Sequence, residues 1–264
     1  RRLSADYIFP ISSPPIKDGV VVVDDNGVII EILKGGRDKK ALEVEKYNGI
    51  ICPGFVNTHC HLELSYLEGK VSEKKGLDEF IKEFQGIRRN FTNDEIEAEL
   101  KKADAEMVAN GIVAVGDISN TAVSFAQKKK SKIKYHTFIE VFAFDSNKAD
   151  TIFEKGEILY REYLELFGRE HKHVSITPHA PYSVSEKLLK KLNEFADKHN
   201  SILSLHNQES EDEDLFFKKK KGKIPARLKK FGIDIDPWQA TGLSSLRSTV
   251  RHLSKCDKLL LVHN

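Results

Sequence analysis

Short apolar runs alternate with longer, charged amphipathic stretches from Pro53 onward, and this alternation restricts the fold more than any other feature of the chain. The apolar runs occupy residues 55–56, 112–115, 138–141, 174–176, 202–205 and 259–262. The helix-like stretches occupy residues 93–110, 148–168, 185–199 and 244–253. Buried strands that alternate with helices predict a parallel sheet. Six such strands are compatible with a doubly wound sheet or with most of an eight-stranded barrel.

Two of the predicted helices have recognisable starts. Thr92 precedes Glu95 by three residues, which is the spacing of a capping box. Ser183 and Ser185 come just before the apolar periodic stretch that begins at Glu186, as N-cap residues do.

The first 52 residues predict a small β unit of their own. Residues 18–23 and 28–32 are expected to form two strands. Residues 24–27 lie between them and contain Asn26-Gly27, a pair that readily takes positive φ at both central positions of a hairpin turn.

Composition limits the kind of protein this is. The 264 residues are 40% hydrophobic, which is enough for a sizeable core, and the net charge is only +2 with 31% charged residues. This balance favours neither nucleic acid nor a membrane as a partner, and no apolar run approaches the ~20 residues of a membrane helix. The lysine-rich residues 128–130 are expected to be solvated. Three scattered cysteines, Cys52, Cys60 and Cys256, argue against a disulfide scaffold and favour the cytoplasm.

Histidines recur where the predicted strands end, which is the face on which a parallel barrel builds its active site. His59 and His61, at positions i and i+2 of a strand, would point to one face and supply half of a metal site. His179, His206 and His263 follow three later strands. Taken singly, each histidine has an ordinary alternative, such as an exposed pair, a turn residue or a surface pair with Glu209. Asp117 and Glu140, which also lie at strand ends, are expected to have structural roles.

These motifs, in this order, resemble the amidohydrolase superfamily. The pieces are Pro53-Gly54-Phe55-Val56-Asn57 with His59-x-His61, His179-Ala180-Pro181-Tyr182-Ser183, His206-x-x-Glu209 and Leu261-Val262-His263-Asn264. They are similar to its aminohydrolase branch, which contains cytosine, guanine, S-adenosylhomocysteine and aminodeoxyfutalosine deaminases and the chlorotriazine hydrolases.

The resemblance implies a (β/α)8 barrel of the TIM type, of which residues 53–264 hold about six strands, preceded by a small β-sandwich domain at residues 1–52. In the family, an aspartate on strand eight is a further metal ligand, and it would lie beyond residue 264. Strands seven and eight and the segment that completes the small domain would lie there too. The chain, which begins with Arg1, is therefore expected to be a fragment.

The resemblance also implies one divalent metal ion, zinc or alternatively iron. Carried over by position, the metal ligands are His59, His61 and His206. Glu209 would carry protons to the substrate's ring nitrogen, and His263 would orient the attacking water. The expected substrate contacts are His179 and Tyr182.

The expected reaction is hydrolytic deamination of a purine-like or nucleoside-like heterocycle by a metal-bound hydroxide, since zinc lowers the pKa of its water from 15.7 to about 7. Two alternatives remain open. The same site could release chloride or open a cyclic amide, or the barrel could be a metal-free, non-catalytic module. The partner is expected to be a small molecule, and family analogy suggests a homodimer.

Overall fold

A computed structural model describes residues 1–34 and 43–263 of the chain. The polypeptide divides into two compact units, residues 1–55 and residues 56–264. Asn264, the last residue of the final motif, lies outside the described residues.

The N-terminal unit is built from short strands in two sheets. The strands are β1 (Arg2–Ser4), β2 (Tyr7–Ile8), β3 (Ile16–Lys17), β4 (Val20–Val23), β5 (Ile29–Leu33), β6 (Glu45–Lys46) and β7 (Ile50–Ile51). One sheet has the order β5-β4-β1-β6 and the other β3-β2-β7. Ala5, Ile8 and Val21 form the buried centre of this unit. Because the strands are so short, this core is small.

The predicted hairpin is present, but its turn differs from the expectation. Strands β4 and β5 pair antiparallel, and Gly27 has φ 81° whereas Asn26 has no positive φ. The side chain of Asp24 explains the difference, since its Oδ1 accepts hydrogen bonds from the N–H groups of Asn26 and Val28, each at 2.9 Å. An aspartate that bonds to the backbone two residues on stabilises a turn of this kind.

The second unit alternates strands and helices, as predicted. Its strands are β8 (Phe55–Cys60), β9 (Ile112–Ser119), β10 (Lys134–Val141), β11 (Val174–Pro178), β12 (Leu203–Asn207) and β13 (Leu259–His263). Its helices are α1 (Leu77–Ile87), α2 (Asn93–Ala109), α3 (Phe125–Lys130), α4 (Ala149–Phe167), α5 (Glu186–His199), α6 (Glu211–Lys219), α7 (Ile224–Lys230) and α8 (Ser245–Val250). Short 3-10 helices lie at Leu62–Leu67, Ser146–Lys148 and Pro181–Ser183. Each of the six predicted apolar runs lies wholly or almost wholly within one of these strands.

The strands of the second unit run parallel. One sheet has the order β11-β10-β9-β8, and β12 pairs with β13 in another. The ladders between β9 and β10, β10 and β11, and β12 and β13 are all parallel. Between β11 and β12 the Thr177 hydroxyl accepts a hydrogen bond from the Ser204 N–H at 2.7 Å, and the N–H of His206 donates to the His179 carbonyl at 2.9 Å. The fold is therefore α/β with parallel strands whose carboxyl ends meet.

Helices pack against one face of this sheet. Apolar side chains of α5, including Leu188 and Leu192, pack with Ile176 and Leu203 of the strands in the largest buried cluster. No described helix combines the length and apolar character that a membrane crossing requires.

The predicted helix starts are largely confirmed. Thr92 and Glu95 form both bonds of a capping box, and the Ser185 hydroxyl accepts from the Leu188 N–H at 3.3 Å. Ser183 has a different role, because its hydroxyl lies 2.7 Å from Nδ1 of His179. The expected start of α5 is therefore set by Ser185 alone.

One predicted surface residue is buried. Lys128 has 3% of its surface exposed, and its Nζ lies 2.5 Å from Oδ2 of the fully buried Asp117. Nζ also donates to the hydroxyls of Ser119 at 2.8 Å and Thr137 at 3.1 Å. The expectation of a solvated lysine patch is therefore wrong for Lys128, although Lys129 and Lys130 are exposed.

Candidate metal centre and its surroundings

Strand ends bring together the histidines that lie far apart in the sequence. His59 and His61 lie at and just beyond the end of β8, and the i, i+2 spacing places both rings on one face. His206 lies near the end of β12, where it pairs with Val262, and His263 ends β13 opposite Asn207. The parallel arrangement therefore carries four imidazoles to the same edge.

Three of these imidazoles converge. One ring nitrogen from each of His59, His61 and His206 lies within 4.8 Å of the others. The ring centroid of His59 is 4.9 Å from that of His61 and 4.7 Å from that of His206. The Nε2 atoms of His61 and His206 are 3.1 Å apart, a separation suited to a shared proton or to two ligands of one metal ion.

The donor set fits a tetrahedral zinc ion. Zinc–nitrogen bonds of ~2.05 Å at a tetrahedral angle place two ligand nitrogens about 3.3 Å apart, close to the separation of these Nε2 atoms. Nδ1 of His59 is buried and has no hydrogen-bond partner among the described residues. A buried nitrogen without a partner is costly unless something binds it, so His59 has a ring nitrogen available that the described residues do not satisfy.

The backbone determines which nitrogen of His206 faces the other two rings. Nδ1 of His206 lies 3.1 Å from the carbonyl oxygen of His179 and 3.2 Å from Oε1 of Glu140. A carbonyl only accepts, so Nδ1 carries the hydrogen, and it is aligned with the carbonyl rather than with the carboxylate. Nε2 of His206 then keeps its lone pair toward His61. This is the form of imidazole that binds metals.

Burial keeps two of the rings neutral. It lowers the pKa of His59 to about 4, with a further contribution from the charge of His206. Burial likewise lowers the pKa of His61 to about 4. Burial also opposes charge on His206, but the adjacent Glu140 carboxylate outweighs it and raises the pKa of that ring. Neutral His59 and His61 are available as ligands at neutral pH.

Glu209 and His263 lie beside this cluster. Oε1 of Glu209 is 3.8 Å from Nε2 of His263, and the ring of His263 is 5.7 Å from that of His206. Both side chains are partly accessible, with 24% and 40% of their surface exposed. The buried carboxylate of Glu213 fixes the Glu209 loop, because it accepts hydrogen bonds from the N–H groups of Gln208 at 3.0 Å and Glu209 at 3.3 Å.

The two predicted substrate contacts lie next to each other and near His206. The ring of His179 is 5.1 Å from that of His206, and Tyr182 meets His179 edge-on at 5.9 Å. Tyr182 is only 5% exposed and packs in an apolar cluster with Phe216 and other residues of α6 and α7. Burial raises the pKa of its hydroxyl.

The two strand-end carboxylates differ in their surroundings. Asp117 is structural, as expected, since its Oδ1 accepts from the N–H of Leu62, the residue after His61, at 2.7 Å. Glu140 instead points at the histidine cluster, where it lies beside His206. Its position at the end of β10, matching the histidines on the neighbouring strands, is the signal that could have marked it.

Comparison with known proteins identifies the family. The model described as the amidohydrolase family matches residues 50–231. The 5'-deoxyadenosine deaminase of Methanosphaera stadtmanae is 26% identical over 224 residues, which cover 81% of this chain and 51% of that protein. The chain spans about half the length of the curated relatives it matches.

Solved structures share the fold. Helicobacter pylori aminofutalosine deaminase, solved with methylthio-coformycin, has a TM-score of 0.70 at 21% identity and covers 88% of this chain and 56% of its own. Atrazine chlorohydrolase from Arthrobacter aurescens, complexed with zinc, has a TM-score of 0.64 at 14% identity and covers 99% of this chain and 60% of its own. With the family model matched over most of the chain, and with the histidines of its motifs gathered at one sheet edge, the chain belongs to the amidohydrolase family.

Proposed function

We propose that the protein is a metal-dependent aminohydrolase that hydrolytically deaminates a purine-like or nucleoside-like heterocycle. The observation that carries this proposal is the convergence of His59, His61 and His206, with the Glu209 carboxylate three residues beyond the last of them. The names of similar proteins support the substrate class, since they include deaminases of 5'-deoxyadenosine and aminofutalosine.

The proposed fold is a closed (β/α)8 barrel at residues 53–264 and beyond, preceded by a small β-sandwich at residues 1–52. Apolar side chains on the two outermost strands support closure by further strands. Val56 of β8 is 62% exposed and Leu261 of β13 is 38% exposed. Exposed apolar residues on a sheet edge favour a covering element. The proposed fourth metal ligand is an aspartate after the eighth strand.

The proposed metal is a single zinc ion, with iron as the alternative, held by His59, His61 and His206. Such an ion acts as a Lewis acid and lowers the pKa of water to about 7. Relatives with two metals carry a bridging lysine or glutamate at the fourth strand, whereas the corresponding strand here ends in Thr177-Pro178-His179. This difference supports one metal.

Proton transfer is assigned to Glu209. When water adds to the carbon that bears the amino group, the neighbouring ring nitrogen must gain a proton, and the departing ammonia needs another. A carboxyl group positioned for such transfers contributes about 10²–10⁴-fold to the rate. The Glu209 charge acts on the pKa of His179, His206 and Tyr182, so the carboxylate lies near all three side chains.

The remaining side chains are assigned to orientation. His263, 3.8 Å from Glu209, would orient the attacking water, and His179 and Tyr182 would contact the heterocycle. His179 is well suited to this role because Ser183 occupies its Nδ1 at 2.7 Å, which leaves Nε2 for another partner.

Metal content and ammonia release test the proposal directly. Purified protein is analysed for bound zinc and iron and is then incubated with a panel of 6-aminopurine nucleosides. We expect about one metal ion per chain and ammonia release from at least one nucleoside. Protein that holds no metal after purification and takes up none on titration would contradict the proposal and would favour the non-catalytic module.

The variant Glu209→Gln separates proton transfer from metal binding. We expect it to keep its metal and to lose about 10²–10⁴-fold in turnover. The matched control is Glu211→Gln at the start of α6, which removes one nearby charge outside the cluster. Turnover of Glu209→Gln close to that of the control would remove Glu209 from the mechanism.

A second reaction on the same site is release of chloride or opening of a cyclic amide. The likeness to atrazine chlorohydrolase favours testing it, and chloride measured in parallel with ammonia separates the two reactions.

We further propose a small-molecule partner rather than nucleic acid or membrane, a homodimer, and a cytoplasmic location. The free state of Cys52, Cys60 and Cys256 supports the last of these, and light scattering tests the dimer.

A further inference from the structure

Glu140 is a buried carboxylate for which the proposed reaction has no use. It lies in β10 with 6% of its surface exposed, and its Oε1 is 3.2 Å from Nδ1 of His206. Burying an isolated carboxylate costs several kcal/mol of folding free energy unless charge or hydrogen bonds compensate it. The groups around Glu140 must therefore stabilise its charge.

The far side of the carboxylate is held in place. Nδ2 of Asn120 donates to Oε2 of Glu140 at 3.0 Å and to its backbone carbonyl at 3.2 Å. The Asn120 N–H in turn donates to Glu63 at 2.9 Å. Oε1 of Glu140 has no aligned hydrogen-bond donor among the described residues. The free oxygen is therefore the one that faces His206.

Glu140 lies against a different nitrogen of His206 from the one that meets His61. It lies at Nδ1 of His206, whereas Nε2 of the same ring is the atom 3.1 Å from His61. The two nitrogens of an imidazole point away from each other, so a group at one does not reach an ion at the other. At this position Glu140 acts on the cluster through the His206 ring, and one of its oxygens also lies within 4.8 Å of a ring nitrogen of His179 and of His206.

The two acceptors at Nδ1 of His206 have different roles. The His179 carbonyl, at 3.1 Å and aligned with the N–H, fixes which nitrogen carries the hydrogen. The Glu140 carboxylate adds a full negative charge at nearly the same distance. A carboxylate behind the N–H of a metal-binding histidine makes the other nitrogen a stronger donor and offsets part of the cation's charge.

We propose that Glu140 is a positioning residue for the metal centre, which holds negative charge behind His206 and so strengthens the bond from Nε2 of that ring to the cation. This inference rests on the proposed metal-dependent function. It assigns Glu140 a role in the affinity of the site for a divalent cation, separate from proton transfer by Glu209.

The test compares metal affinity in Glu140→Gln, which keeps the size of the side chain and removes its charge. The probes are Zn²⁺ and Co²⁺ added to metal-free protein in competition with a chelator, and the Co²⁺ absorption spectrum reports the ligand set. The control is Asp104→Asn, which removes a buried charge that bonds Tyr135 and Ser131 in another part of the unit. Circular dichroism and urea unfolding check that both variants fold.

We expect Glu140→Gln to bind Zn²⁺ about 10–100-fold more weakly than wild type, with an unchanged Co²⁺ spectrum, and Asp104→Asn to match wild type. Equal Zn²⁺ affinity in wild type and Glu140→Gln would overturn this inference but not the proposed function. Loss of an oxygen ligand from the Co²⁺ spectrum would overturn it as well, because Glu140 would then be a ligand. Wild type that binds neither ion would overturn the proposed function together with the inference.

A second variant covers a failure to fold. Glu140→Asp keeps the charge and withdraws the carboxylate by one methylene. If Glu140→Gln does not fold, Glu140→Asp is measured under the same criteria, with an expected affinity between that of wild type and the roughly 10–100-fold loss expected on removing the carboxylate. Wild-type affinity in Glu140→Asp would then count against the inference.

Discussion

Acid is expected to destabilise the metal-free protein through its buried imidazoles, and His61 offers the clearest measurement. Its pKa is about 4 in the folded protein because burial opposes the charge, against an ordinary value of 6.5. Between these pH values the unfolded chain binds a proton that the folded chain does not, so the free energy of unfolding falls as the pH falls. At 1.36 kcal/mol per pKa unit, the gap corresponds to about 3 kcal/mol.

Urea unfolding in the presence of a chelator, at several pH values from about 8 to 4.5, measures this effect. Wild type is compared with His61→Asn, which has no titratable group at that position. We expect wild type to lose up to about 1.4 kcal/mol per pH unit more than the variant between pH 6.5 and 4.5. Above about pH 7.5 the two profiles should run parallel, which serves as the internal control.

His206 contributes with the opposite sign. Glu140 raises its pKa, so the folded protein holds that proton more tightly than the unfolded chain, and the stabilisation is lost as the pH rises through the raised value. His206 is present in both proteins, so most of its contribution cancels in the comparison. Profiles of equal slope below about pH 6.5 would refute the assignment of His61 as a buried neutral ring.

Three further substitutions, two of them with a companion variant, test local packing and capping by urea unfolding. An alanine Cβ at Gly116 would lie 2.6 Å from a backbone carbonyl oxygen, so Gly116→Ala should cost about 1–3 kcal/mol, whereas Gly86→Ala, which meets nothing within 4 Å, should not destabilise. Lys128→Met leaves the Asp117 charge buried and unpaired and should cost about 3–5 kcal/mol, part of which Asp117→Asn in the same chain should restore. Thr92→Ala removes the capping box and should cost about 1 kcal/mol, and no measurable loss would show that α2 does not need it.

Features that repeat along the sequence could be predicted. The short apolar runs, separated by helix-like stretches, predict the strands. Thr92 and Ser185 precede their helices at the spacing that capping requires. Histidines at the ends of parallel strands were expected to meet because such strands end at one edge. The structure places His59, His61 and His206 together. Their role as metal ligands remains a prediction.

Features that depend on contacts between distant residues could not be predicted. A run of three lysines predicts a surface position for Lys128, and only the fold shows that its side chain lies against Asp117. The sequence predicts only that Glu140 is a polar residue at a strand end. Its contact with His206 depends on how β10 and β12 are arranged in the fold. The nitrogen of His206 that carries the hydrogen depends on a carbonyl 27 residues away.

The residues that meet at the Nε2 pair are 145 positions apart in the chain. Closing a loop of that length costs an unfolded polypeptide about 4 kcal/mol of chain entropy, whereas the folded chain already holds these rings together, so the native protein would bind an ion more tightly than a disordered chain. The amount of retained metal would therefore report the amount of native protein. An ion present at about 100 times its dissociation constant would add about 2.7 kcal/mol to the stability of that protein. During synthesis the three-histidine set could not form until the ribosome had passed β12, which supplies His206.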